Sequence, residues 1–192
     1  IGAGASSTTT IAGNLVVTGS GAASSIDGLS DCLVEDNSIY MGNDPSGTTS
    51  TAQYNVAIGT TALDAVTTGD NNVCIGYDAG TAITDSASNI AIGSYSMTDT
   101  AAGAEANVAV GYGALRRITS GDHNSGFGHG AGENVTSGEN NTCLGWRAGT
   151  SSSPSGEIST GSNTICLGDT GVSAVYVETD AWTTSDIRDK AD

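Results

Sequence analysis

Basic residues are almost missing from this chain. Its 192 residues include only five Lys and Arg, against 21 Asp and Glu, for a net charge of −16. Nucleic-acid binding is excluded on that balance, because a polyanion needs a basic surface. Aromatics are scarce too, with one Phe and two Trp, so a large aromatic core is not expected. No apolar run approaches the roughly 20 residues of a membrane-spanning helix, and membrane insertion is not expected. Proline is nearly absent, at two. Glycine is abundant, at 28, but it does not fall at every third residue, which excludes collagen. So much Gly, Ser and Thr disfavours long helices. The acidic surplus reads first as solubility, and second as cation binding in acidic turns. The chain begins at Ile1 with no charged-then-apolar leader, the expectation for a piece of a longer or processed protein.

A repeat fills most of what remains. Asn-x-small-aliphatic-Gly occurs as Asn55–Gly59, Asn72–Gly76, Asn89–Gly93, Asn107–Gly111, Asn124–Gly128 and Asn141–Gly145. The glycines lie 17, 17, 18, 17 and 17 residues apart. Degenerate copies flank them: Ser38–Gly42 lies 17 residues before the first, and Thr164–Gly168 lies 23 after the last. The excess in the last interval is a Ser/Pro insertion at Ser151–Ser155. After each glycine comes x-x-Ala-Leu or x-x-Ala-Gly in most copies, then a Thr/Ser-Gly-acid turn such as Thr68-Gly69-Asp70. Such turns use Gly for positive φ and Asp to cap the backbone.

Alternation inside the five-residue segment predicts a short strand. Seventeen residues are too few for a helical hairpin and suit one coil of a solenoid. The expected fold is therefore all-β, a β-solenoid or β-roll of 17-residue coils. Eight coils at roughly 4.8 Å give a rod of roughly 40 Å. Equivalent residues then form ladders. One is Asn55, Asn72, Asn89, Asn107, Asn124 and Asn141, able to hydrogen-bond along the stack. The other is Met41, Ile58, Ile75, Ile92, Val110, Phe127, Leu144 and Leu167, each preceded in most copies by a small residue where space is tight. One aliphatic side chain and a few alanines per coil bury little surface. A parallel homo-oligomer, a trimer, is the expected remedy. The chain divides into an N-terminal shaft segment (1–30), the solenoid (31–171), a connecting strand (172–184) and a distinct C-terminal motif (185–192).

That motif, Thr184-Ser185-Asp186-Ile187-Arg188-Asp189-Lys190-Ala191-Asp192, resembles the opening of the endosialidase-type intramolecular chaperone of bacteriophage tail fibres and tailspikes. The repeat resembles both the fibre shaft and the head of YadA-like trimeric adhesins. The resemblance implies a homotrimeric fibre rod for host-surface attachment. Such a rod assembles in the bacterial cytoplasm and sits at the distal tail of the virion. Its implied partners are other tail-fibre or baseplate proteins and a host surface glycan or protein. It also implies self-cleavage between Ser185 and Asp186, with Ser185 as nucleophile and Lys190 as its base. A desolvated Lys can take a hydroxyl proton. The body of that chaperone is absent after Asp192, and the chain keeps seven residues beyond the implied cut. No other enzymatic activity and no cofactor are expected. The alternatives are a bacterial adhesin head and a tailspike glycan depolymerase. The latter needs paired carboxylates across a groove, and the acids here are regularly spaced turn residues.

Residues following the repeat glycines supply the remaining candidates. Tyr77, Tyr112, His129 and Trp146, with Arg147, could contact a glycan; the plainer reading is packing between chains or against a neighbouring loop, or a salt link for the arginine. Cys74, Cys143 and Cys166 occupy the small position and read as buried free thiols. Cys32 lies outside the repeat. Cys74 and Cys143 are four coils apart and cannot pair within one chain. No metal site is expected: His123 and His129 lack obvious partners, and Asp70, Asp85, Asp99, Asp122 and Glu139 lack the density of a calcium loop.

Overall fold

The computed structural model describes residues 32–42, 45–100, 103–154 and 156–173. Among the described residues nine short strands form one sheet in chain order: β1 (Cys32–Glu35), β2 (Ser38–Met41), β3 (Val56–Ile58), β4 (Val73–Ile75), β5 (Ile90–Ile92), β6 (Val108–Val110), β7 (Ser125–Phe127), β8 (Thr142–Leu144) and β9 (Ile165–Leu167). From β2 to β9 every pairing is parallel and in register, so Ala57 faces Cys74, Cys74 faces Ala91, and so on up the stack. This is a β-solenoid with one strand per coil. β1 departs from the pattern, pairing antiparallel with β2 through a tight hairpin. It covers the β2 edge, which would otherwise offer unpaired backbone groups to another strand.

Strand alternation decides which ladder points inward. The asparagines and small residues do: Asn55 and Asn72 are fully buried, as are Cys74, Ala91 and Ala109. The aliphatic ladder points outward. Ile58, Ile92, Phe127, Leu144 and Leu167 are all exposed, at 36% to 51%. The interior is filled instead by two columns from the far side of each coil. Leu63, Met97 and Leu115 stand four residues after the repeat glycine. Val66, Ile83, Ile118, Val135 and Ile158 stand six residues before the next Asn or its Thr164 equivalent. The core thus takes one or two large apolar residues from each coil, besides its alanines and cysteines, and a single chain has a continuous apolar interior.

The asparagine ladder closes each coil. Asn72 Oδ1 accepts the backbone N–H of Asn89 at 3.0 Å, and Asn89 Nδ2 donates to the Ala104 carbonyl across the coil at 2.8 Å. The same pair of bonds recurs from Asn55 to Asn141. Ser38 Oγ and the Thr164 N–H terminate the series. Every buried amide is thereby satisfied, as burial demands.

Corners need left-handed backbone. The residue before each Asn has φ between +54° and +62°, from Tyr54 through Ala106 to Asn163. That conformation aims its N–H along the rod axis: Ser88 donates to Asp70 at 2.9 Å and His123 to Glu105 at 3.1 Å. The repeat glycine is stricter. Gly93 has φ +126°, and a Cβ there would stand 2.6 Å from the Gly111 carbonyl oxygen. The insertion leaves the stack intact. Ile158 donates to Gly149, nine residues back, where Val135 donates to Gly132, three back. Within the insertion Ser153 Oγ donates to the Gly168 carbonyl at 3.1 Å, and the chain re-enters the stack at the same bond.

Candidate functional site

The corner after the repeat glycine gathers most of the aromatic side chains of the described residues. Each coil turns there through a left-handed residue two positions beyond the glycine, such as Asp78, Tyr95 and Arg147. The N–H of that residue donates to the coil before: Tyr95 to Tyr77 at 2.9 Å, Gly130 to Tyr112 at 2.8 Å, Arg147 to His129 at 2.9 Å. Stacked coils place successive corner side chains one rung apart.

The result is a continuous ring column. Tyr77 and Tyr95 meet edge to face at 5.3 Å, Tyr95 and Tyr112 at 5.5 Å, and Tyr112 and His129 stack at 5.0 Å with planes 16° apart. One rung further, the Arg147 guanidinium lies over the Trp146 ring, 5.7 Å from its centre. Tyr77, Tyr112 and Trp146 remain about half exposed. The rings therefore spend part of their surface on one another and keep the rest open. The Asp78 carboxylate beside Tyr77, and then Tyr95, raise the Tyr77 phenol above its ordinary pKa.

Tyr95 was not legible as a member. Residues directly after the glycine define the column elsewhere, and Ser94 holds that place in its coil. Tyr95 enters from the next position because its left-handed backbone turns the side chain into the row. The available signal was an aromatic displaced by one position, in the coil followed by the 18-residue interval.

Charge divides along this edge. Asp64, Asp78 and Asp99 lie in the lower coils, and Arg116, Arg117 and Arg147 in the upper ones, with Glu133 among them and Asp169 after Gly168 at the top. Arg116 pairs with Glu133 at 3.8 Å, the plain salt link expected of an arginine here. Among the described residues Arg147 has no carboxylate within 4.0 Å, and its Nε is buried without a hydrogen-bond partner.

The other candidate residues have structural explanations. Asp70 and Asp122 cap neighbouring coils, accepting the Gln53 and Glu105 N–H groups at 2.7 and 2.8 Å. Among the described residues no group of three or more His, Cys, Asp or Glu side chains could hold a metal ion. No described helix is long and apolar enough to cross a membrane. Cys74, Cys143 and Cys166 are buried and in no disulfide. Burial pushes the Cys74 thiol up to about 12; burial, then the neighbouring Cys166, push Cys143 up to about 12. Neither is a nucleophile near neutrality. Ser185 and Lys190 lie outside the described residues.

Comparison with known proteins returns no relative. No protein-family model matches the chain, and no curated protein or solved structure matches it either.

Proposed function

We propose that this chain is a shaft segment of a bacteriophage tail fibre, in which three parallel copies form a rigid rod that presents a host-binding surface. The observation that carries the reading is the outward face of the sheet. Val56 and Ile58, Val73 and Ile75, Ile90 and Ile92, and Val108 and Val110 build two apolar columns on consecutive rungs; Phe127, Leu144 and Leu167 continue the second, and Ser125 and Thr142 interrupt the first before Ile165. A contiguous apolar strip of this length on a single chain marks an interaction surface. A parallel assembly brings identical strips together along a common axis; the number three comes from the resemblance of the repeat and of Ser185–Asp192 to trimeric fibres. The same resemblance supplies the proposed cut after Ser185, with Lys190 as base. The net charge of −16 keeps such rods apart from one another laterally.

Native mass spectrometry of the protein expressed with its natural downstream sequence tests both points. A trimer whose subunits end at Ser185, with the released piece alongside, is the expected result. A trimer that keeps its C-terminus removes Ser185 and Lys190 as catalysts and leaves the rod. A monomer overturns the reading. Ile92→Lys is the companion variant: Ile92 is outside the core, so the solenoid is expected to keep its far-ultraviolet circular dichroism while the assembly dissociates.

A further inference from the structure

We infer that the Trp146–Arg147 corner, with the Tyr112–His129 stack on the two rungs below, is a binding site for a carboxylate-bearing saccharide. The inference deepens the surface-attachment reading and rests on it. Arg147 is the starting point. In a chain of net charge −16 it is a half-buried cation with no carboxylate within 4.0 Å among the described residues. Its one described partner is the face of Trp146, 5.7 Å away. The Nε–H is buried, so a ligand would meet the two Nη groups at the end of the guanidinium. Those groups form the fork that matches a carboxylate in two parallel hydrogen bonds.

The neighbouring surface suits the rest of a sugar. Trp146 is 53% exposed and Tyr112 51% exposed. Aromatic faces and edges half open to water, beside a fixed polar group, bind the apolar faces of pyranose rings through amphipathic contact. Position along the rod fixes the charge of the ligand. At this corner Glu133 is engaged by Arg116 at 3.8 Å and Asp169 follows Gly168 in the coil above Trp146, whereas Asp64, Asp78 and Asp99 sit in the lower coils with no arginine among them. An anionic group is favoured at the Arg147 end and disfavoured at the Tyr77 end. The large negative charge of the rod repels a dense polyanion. The saccharide that fits carries isolated uronic acids separated by neutral sugars.

The test uses the assembled full chain in a Trp182→Phe background, so that Trp146 is the one indole. Fluorescence is titrated with oligosaccharides of alternating uronic acid and neutral sugar, using several spacer sugars, with their carboxyl-reduced counterparts, and with acetate. A saturable response to at least one acidic oligosaccharide, weakened about tenfold or more by carboxyl reduction, is expected, as is the same loss in Arg147→Gln. Arg147→Lys keeps the charge without the fork and is expected to restore affinity only in part. Four results would overturn the site: no response to any acidic oligosaccharide, equal response to the reduced forms, equal response to acetate, or full affinity in Arg147→Gln. Shielding of Trp146 from acrylamide in the ligand-free assembly would overturn it too, by placing the ring between chains. All the site residues belong to one chain. Loss of binding by an intact trimer therefore condemns the site alone, and a binding monomer condemns the rod alone.

Discussion

Cys74 and Gly80 share one space. A Cβ on Gly80 would stand 2.5 Å from the Cys74 Sγ, and Cys143 and Gly149 repeat the relationship at 2.7 Å. Where the strand position is alanine, as at Ala57, Ala91 and Ala109, the position six residues on is large: Leu63, Met97 and Leu115. The coil with Gly126 and Gly132 has neither, and Leu115 from the coil below reaches both places. The interior is filled by different divisions between the two walls and, at Gly126 and Gly132, between neighbouring coils, as close packing requires.

A double-mutant cycle follows from that exchange. Gly80→Leu alone overpacks against the thiol and is expected to cost about 3 kcal/mol. Cys74→Ala alone opens a small void and is expected to cost about 1 kcal/mol. Together they recreate the Ala57–Leu63 arrangement, so the double variant is expected to approach wild-type stability. A favourable coupling of about 3–4 kcal/mol in urea denaturation supports the account; additive losses would refute it.

Removing one rung of the amide ladder should be felt along the whole rod. Asn89→Leu leaves the Asn107 N–H, at 3.0 Å from the lost Oδ1, and the Ala104 carbonyl without their partners. Two orphaned buried backbone groups predict a loss of about 3–5 kcal/mol. Hydrogen exchange is the discriminating measurement, with protection expected to collapse in the coils flanking Asn89 before the others. Uniform protection in the variant would mean the ladder is incidental.

Two glycines in neighbouring corners should respond differently to one methyl group. Gly93→Ala meets backbone at 2.6 Å from the next coil and is expected to separate the stack at that point. Gly113, at φ +62°, has nothing within 4 Å of its prospective Cβ. Gly113→Ala is expected to cost about 1 kcal/mol, the usual penalty of left-handed backbone. Thermal denaturation of the two variants compares a steric requirement with a conformational one.

Alkaline pH should destabilise the solenoid through its thiols. The folded Cys74 pKa, about 12, lies above the ordinary 9.0 of an unfolded chain. Its contribution is complete below pH 9 and is lost as pH rises toward 12, because only the unfolded chain ionises in that window. Three pH units correspond to on the order of 4 kcal/mol. Cys74→Ala is expected to flatten the slope of stability against pH between 9 and 11, whatever its constant cost. Thiol reagents should leave Cys74 and Cys143 unmodified until the chain unfolds.

The coil period, the strands and the asparagine ladder were legible because they are local and repeated. The 17-residue register survives any single irregularity, and the five-residue segment states its own alternation. The second apolar column was present in the sequence as Val66, Ile83, Ile118 and Val135, each seven residues after a repeat glycine. It lacked a motif around it and passed unseen. The β1 hairpin was also hidden, since Cys32–Glu35 falls outside the repeat.

What the sequence by itself determined is the stack: its period, its register and the residues that must recur on each rung. Only the tertiary structure decided which of two apolar columns is core and which is surface. Alternation assigns residues to opposite faces of a strand but does not say which face the far wall of the coil will cover. That wall begins at the corner after the glycine, where left-handed residues such as Leu63 and Leu115 turn the chain back over Ala57 and Ala109. The Ile58–Ile92 face is thereby left outside for another molecule. The same corner moved Tyr95 into a row its sequence position does not share, because side-chain direction there follows φ rather than register.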